Sequence, residues 1–213
     1  MGVIFTVGDD TNDLLVPFVQ ERNGKTSRDV VNEVYLRASL GKISSRQFWN
    51  EVGLGAGYPA VETEYLDAML TIDDDFLKMA KGMMEKFSLG LLSNDVSEWS
   101  RYLRNKFGLD FFDIMVISGD IHCRKPTLGI YRHFLEEAKT QAEACVFIDD
   151  RCKNLSAARS VGMKTIHFAR KRESGDFVPD ASVVSFTELE EAIESILPKY
   201  SPPPRTPPLQ KAL

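Results

Sequence analysis

The chain has 213 residues, 43% of them hydrophobic and 27% charged, which excludes wholesale disorder and a fibrous repeat. That length suits one α/β domain with an inserted subdomain, or two small domains. A formal net charge of −5 argues against general affinity for nucleic acid or anionic membranes, so neither is expected as a partner. No apolar run approaches the roughly 18 residues of a spanning helix. The opening Met1-Gly2-Val3-Ile4-Phe5-Thr6-Val7-Gly8 lacks the charged region and cleavage site of a signal peptide. The three cysteines, Cys123, Cys145 and Cys152, are odd in number and show no framework spacing. They point to a reducing compartment, and the expected location is cytoplasmic.

In chain order, short apolar runs alternate with helical patterns, the signature of βαβ units. The runs are Val3–Val7, Leu89–Ser93, Met115–Ser118, Cys145–Ile148 and Thr165–Phe168. Each is apolar on both faces, as strands of a helix-covered parallel sheet should be. The stretch between the first and second runs reads as helices. Val30, Val31, Val34 and Leu36 lie in one, Ser44 with Gln47 caps another carrying Phe48 and Trp49, and 62–70 and 75–87 read as two more. Further on, Trp99, Leu103 and Phe107 recur at helical spacing before Gly108, and Leu155, Ala158 and Val161 do so before Gly162. Thr187 with Glu190 reads as a capping box for the last helix. The expected fold class is α/β: a Rossmann-like core with a parallel sheet, from residues 1–13 and 87–197, and a helical cap inserted at 14–86. Residues 198–213 hold six of the ten prolines and read as a Pro-rich tail, a weak candidate for a protein partner.

The residues that end the strands carry the chemistry. Ser93 ends one in Leu-Leu-Ser-Asn, Asp149 and Asp150 end another, and Lys125 follows the third run in Cys-Arg-Lys-Pro. Strand ends converge on one crevice. A hydroxyl, an ammonium and paired carboxylates gathered there suit a phosphoryl group and Mg²⁺. His122 lies in the loop before Lys125, His167 inside a strand and His133 on a helix face. No Cys/His cluster supports zinc.

In these segments the chain resembles the haloacid dehalogenase superfamily. The similarity is to the branch holding the N-terminal phosphatase domain of soluble epoxide hydrolase and bacterial sugar-phosphate phosphatases. Leu89-Gly-Leu-Leu-Ser-Asn94 resembles the family's second motif, Ile117-Ser-Gly-Asp-Ile-His-Cys-Arg-Lys-Pro126 its third and Cys145-Val-Phe-Ile-Asp-Asp-Arg-Cys-Lys-Asn154 its fourth. Leu40-Gly-Lys-Ile-Ser-Ser-Arg-Gln-Phe-Trp49 resembles the helical cap of that branch. The resemblance implies a hydrolase of small phosphorylated molecules that uses Mg²⁺. Ser93 and the Asn94 backbone would bind the phosphoryl group, and Lys125 would bridge it to the nucleophile. Asp150 would be a metal ligand supported by Asp149, Gly8 would offer a backbone carbonyl to the metal, and Asn154 would orient the acidic loop.

The first motif departs from the family pattern. Relatives end the first strand with an aspartate that attacks phosphorus and ligates Mg²⁺, and the aligned residue here is Thr6. A neutral hydroxyl is a poor nucleophile without an adjacent base and a weak Mg²⁺ ligand. One reading is a degenerate homologue that binds a phosphorylated ligand or protein partner without turnover, with Mg²⁺ weak or absent. In a second, Asp9 or Asp10 moves into the vacancy and hydrolysis survives. In a third, Thr6 itself acts, or stands there to trap a ligand. In the first reading, Thr6→Asp is expected to restore activity. A homo-oligomer is left open.

Overall fold

In the computed structural model, residues 2–6, 9–169 and 177–197 are described. Over its described residues, 3–6, the expected Val3–Val7 strand does not join a sheet. Residues 2–4 form a turn, and Phe5 makes a single antiparallel bridge to Ile72. The Ile4 carbonyl accepts from the Asp73 amide and the Thr6 amide donates to the Thr71 carbonyl. The Phe5 ring is buried edge-on against Phe107, with centroids 5.8 Å apart. That packing gives the apolar run a home that a sheet position would otherwise supply. Val7 and Gly8 lie outside the described residues, as does the Pro-rich stretch.

Helices fill the chain from residue 11 to residue 83. A π-helical turn at Thr11–Leu15 leads into α1 (Val16–Arg22), followed by α2 (Arg28–Ala38), α3 (Ser45–Glu51), α4 (Ala60–Ala68) and α5 (Asp74–Met83). Local chemistry sets their starts. The Ser27 hydroxyl accepts from the Val30 amide, and Ser44 and Gln47 form the reciprocal capping box. Of the apolar residues read into α2, Val31 and Val34 face the core, whereas Val30 and Leu36 are exposed.

The remaining elements are β1 (Gly90–Ser93), α6 (Ser97–Phe107), β2 (Ile114–Ile117), α7 (Ser118–Ile121), α8 (Leu128–Ala138), β3 (Val146–Asp149), α9 (Cys152–Ser160), β4 (Lys164–Phe168), β5 (Ala181–Val183) and α10 (Phe186–Ile196). The turn after α6 puts Gly108 at φ +61°, a left-handed position that glycine adopts without steric cost. The last helix starts two residues ahead of the expected cap: the Ser185 hydroxyl accepts from the Glu188 amide.

All strand pairs are parallel, and they form two separate groups among the described residues. β1 pairs with β2, and β3-β4-β5 form the other group in that order. For β1–β2 and β3–β4 the connection is a βαβ crossover through α6 and α9, which dictates the parallel direction. The helical stretch packs onto α6 through an aromatic cluster. Trp99 stacks on Tyr35 and meets Phe48, Trp49 and Tyr65 at centroid distances of 5.2–6.0 Å. Both indole N–H groups, of Trp49 and Trp99, donate to the same Glu62 carboxylate oxygen, at 2.9 and 2.7 Å. Burial therefore leaves neither indole donor unpaired.

Candidate active site

The site is assembled at the carboxyl ends of β1, β2 and β3. Ser93 is the last residue of β1 and Asp149 the last of β3. Asn94 ties the β1 end to the loop after α7 with two bonds. Its side-chain amide donates to the Lys125 carbonyl at 2.9 Å, and its Oδ1 accepts from the Lys125 amide at 2.8 Å. That latch holds the Lys125 backbone, and its side chain crosses to β3. There the Lys125 Nζ lies 2.7 Å from the Asp149 Oδ2, with both side chains nearly buried at 9% and 5% exposure.

Asp149 has further partners. Its Oδ1 accepts from the Arg151 amide at 3.0 Å and from the Asn154 side-chain amide at 2.9 Å. Asn154, on the first turns of α9, is fixed in turn by the Tyr131 hydroxyl, which donates to its carbonyl at 2.9 Å. Burial opposes the Asp149 charge, but Lys125 and Asn154 outweigh it and hold the carboxyl below the usual range. The neighbouring Asp150 behaves oppositely. Burial and the adjacent Asp149 charge raise it. The buried Asn154 Oδ1 has no hydrogen-bond partner in the structure.

Ser93, Lys125, Asp149 and Asp150 border one cavity. The structure thus brings together Ser93, Asn94, Lys125, Asp149, Asp150 and Asn154. Thr6 is not among them. It is exposed, its hydroxyl donates to the Thr71 carbonyl at 3.4 Å, and its backbone pairs away from the β-sheets. Asp9 is half-buried, bonded to Asn12 and 3.4 Å from the Arg151 guanidinium. Asp10 begins the π-helical turn without a side-chain cap bond. Burial raises its pKa, and the Asp9 charge adds to the effect.

Asp95 carries no signal in the sequence pattern. It is 3% exposed. Its backbone amide donates to the Ser118 hydroxyl and its Oδ1 accepts from the Val96 amide. Burial, then the charge of Asp10, pushes its pKa up to about 7. A carboxyl with a raised pKa contributes stability that is fully present below the unfolded value near 3.8. That contribution is lost as pH rises through the folded value near 7. Asp95→Asn, which keeps the Val96 bond, is therefore expected to stabilise the protein at pH 8 and to change little at pH 4. The ceiling is about 4 kcal/mol, at roughly 1.4 kcal/mol per pKa unit. Thermal melts of both proteins across that range check it; a constant difference would refute it.

The turn after α2 closes over the same strand ends. The Ser118 hydroxyl donates to the Ser39 carbonyl, Arg124 donates to the Ser39 hydroxyl at 2.8 Å, and the His122 Nδ1 lies 2.9 Å from the Leu40 carbonyl. Gly41, at φ +64°, approaches so closely that a Cβ there would lie 2.2 Å from the Gly119 carbonyl oxygen. His122 is thus committed to a backbone contact, and His167 is buried with its Nε2 3.2 Å from the Asp150 carbonyl.

For Mg²⁺, one or two carboxylates completed by phosphate oxygens and water can suffice. Asp150 fits that use, because a cation would offset its proximity to Asp149. Asp149 is already committed to Lys125. Among the described residues no group of three or more His, Cys, Asp or Glu is placed to hold a metal ion. No helix among them is long and apolar enough to cross a membrane.

Comparison with known proteins gives a consistent picture. The model of a family described as haloacid dehalogenase-like hydrolase matches residues 25–168. Drimenol cyclase drtB of Aspergillus calidoustus is 40% identical over 62 residues, 29% of this chain but 12% of that protein. Sesquiterpene phosphatase astK of Aspergillus oryzae is 27% identical over 147 residues, 64% of this chain and 72% of that one. The fold agrees with the crystal structure of a haloacid dehalogenase-family phosphatase from Thermococcus onnurineus. The TM-score is 0.67 at 21% identity, covering 91% of this chain and 94% of that one. It also agrees with a family enzyme of Bacteroides thetaiotaomicron, crystallised as a mutant with magnesium and inorganic phosphate. There the TM-score is 0.66 at 18% identity, covering 81% and 92%.

Proposed function

The chain belongs to the haloacid dehalogenase-like hydrolase family, and from that premise we propose that its crevice binds the phosphoryl group of a small phosphomonoester. The observation that carries this reading is the nearly buried Lys125–Asp149 pair set beside Ser93 at the strand ends. An ammonium fixed in a low-dielectric crevice is a strong anion partner. The Lys125 Nζ and the Ser93 hydroxyl supply donors to phosphoryl oxygens, with the Asn94 backbone beside them. Asp149 orients Lys125, and Asn154 with Tyr131 orients Asp149. Asp150 would hold Mg²⁺, which when bound neutralises charge on the phosphoryl oxygens. The expected Mg²⁺ affinity without phosphate is weak, because so few protein carboxylates converge. The match to a sesquiterpene phosphatase is consistent with a small phosphorylated substrate, and the helical stretch from residue 14 to 86 would cap it.

Turnover is expected to be weak or absent. Thr6 stands on exposed backbone bonded to Thr71 rather than in the crevice, so it offers no nucleophile. A second reading, in which Asp10 supplies the missing carboxylate, is favoured by its electrostatic effect on Asp95, which borders the crevice. Asp9 suits that role less well, being paired with Arg151 and Asn12.

A Mg²⁺-dependent phosphomonoesterase assay separates the two readings. The expected wild-type kcat is at least about a thousandfold below the roughly 10 s⁻¹ typical of enzymes. Thr6→Asp is expected to leave it there, in contrast to the expectation from sequence, because residue 6 is held away from the crevice. Ordinary rates in the wild type that vanish in Asp10→Asn would establish the second reading. Activity gained by Thr6→Asp would contradict the placement of residue 6.

A further inference from the structure

One face of α2 reaches both loops of the phosphoryl crevice. Tyr35 and the helix's C-terminal capping residue, Ser39, are four positions apart, so they lie on the same side one turn apart. Both are buried, at 5% and 0% exposure. The Tyr35 hydroxyl donates to the Asn94 carbonyl at 3.4 Å. The Ser39 hydroxyl accepts from the Arg124 Nη1 at 2.8 Å. Asn94 and Lys125 are themselves joined by the two bonds between the Asn94 side chain and the Lys125 backbone. The contacts close a ring: Tyr35, Asn94, Lys125, Arg124, Ser39, and back along α2.

Arg124 is the odd member. Lys125 sends its side chain to Asp149. Arg124, one residue earlier, reaches the helical stretch instead. Its guanidinium meets the Ser39 hydroxyl and lies 6.0 Å from the centre of the Tyr35 ring. Holding so long a side chain costs rotamer entropy, and a neutral hydroxyl repays less of it than a carboxylate would. What the contact does achieve is to fix the backbone on either side. The Arg124 carbonyl accepts from the Thr127 amide at 2.9 Å, and the Lys125 backbone is latched to Asn94. The anchor itself has little freedom. The Ser39 carbonyl accepts from the buried Ser118 hydroxyl, and Gly41 lies too close to the Gly119 carbonyl oxygen to admit a Cβ.

We propose that Ser39 and Arg124, with Tyr35 beside them, are positioning residues for phosphoryl binding. The docked α2 face sets where the Asn94 backbone and the Lys125 ammonium stand relative to each other. The proposal rests on the reading of those two groups as the phosphoryl site. The three residues act through Asn94 and Lys125, not on the anion.

The test compares Ser39→Ala, Arg124→Met, the double variant, Arg124→Lys and Tyr35→Phe with the wild type in the full chain. Calorimetry reads inorganic phosphate binding with Mg²⁺, and hydrogen exchange by NMR reads the Lys125 amide. Ser39→Ala and Arg124→Met are each expected to weaken phosphate binding by at least about fivefold. The double variant should be no weaker than the worse single one, because both substitutions remove the same bond. The Lys125 amide, which donates to Asn94, should exchange at least about tenfold faster in both. Arg124→Lys keeps a donor and should recover part of the affinity. Tyr35→Phe should cost about threefold, because its bond is the longer one. Unchanged phosphate affinity in Ser39→Ala would overturn the proposal, because Arg124 would then act by its own charge or not at all. Additive losses in the double variant would overturn it too. So would wild-type exchange at Lys125 in both single variants, even with a lowered Tm, which a purely structural bond would also give. The exchange measurement needs no phosphate. Faster exchange in the variants of a protein that binds no phosphate would therefore overturn the phosphoryl reading itself and leave the tie between Ser39 and Lys125 standing.

Discussion

Lys125→Met is expected to destabilise the protein by about 3–5 kcal/mol and to abolish phosphate binding. The size follows from burial. Lys125 and Asp149 are nearly inaccessible and 2.7 Å apart, and removing one partner leaves the other charge uncompensated. The Arg151 amide and Asn154 still hold Asp149, but neither carries a full positive charge to its Oδ2. A second substitution isolates the cause. Asp149→Asn in the Lys125→Met background should recover part of the loss, because the stranded charge is gone. The pH dependence has a definite sign. Asp149 has a lowered folded pKa, so its contribution is present above the unfolded value and lost as pH falls through the folded one. The deficit of Lys125→Met should therefore narrow as pH falls from 7 to 4, because burial favours protonation of the unpaired carboxyl. Urea midpoints at pH 7 and pH 4 for the two single variants and the double variant check this. A deficit independent of pH would mean that lost packing, not lost charge, is responsible.

Trp99→Ala is the second large effect, with an expected loss of about 3–5 kcal/mol. Trp99 is 1% exposed on α6, and its ring meets Tyr35, Phe48, Trp49 and Tyr65, all contributed by the helical stretch. Its removal opens a cavity where that stretch meets α6, and also withdraws one of the two donors from Glu62. Trp99→Phe should lose less, because the ring packing survives and only the indole bond goes. Denaturation followed by the remaining tryptophan, Trp49, provides the readout. An unchanged midpoint in Trp99→Ala would show that the helical stretch does not depend on this cluster.

Much of the site was legible because strand ends are easy to read. Apolar runs stop where the chain reaches the crevice, so Ser93, Asp149 and Asp150 announce themselves. Lys125 stands out in the loop after the next run. Glycine told the same truth at the helix ends, with Gly108 and Gly162 both at positive φ. The first apolar run misled for a physical reason. Four apolar residues around one threonine satisfy a strand, but also a turn whose one large ring is buried elsewhere, and Phe5 packs against Phe107. Placing Thr6 at the crevice depended on that strand and fell with it. Asp95 was invisible because nothing in Ser-Asn-Asp-Val marks which carboxylate will be buried. Its raised pKa comes first from burial and then from Asp10, which is far away in sequence. β5, three residues with a serine at its centre, is too short and too polar to show any period.

Calorimetric titration of inorganic phosphate with Mg²⁺ into the wild-type protein, Ser93→Ala and Lys125→Met tests the phosphoryl-binding crevice most directly. The account predicts saturable one-site binding in the wild type, at least about tenfold weaker binding in Ser93→Ala (loss of a hydrogen bond to a charged group), and none in Lys125→Met at a urea-free pH where circular dichroism shows it folded. Equal affinity in all three proteins would contradict it, because the anion would then be held somewhere other than between Ser93 and Lys125.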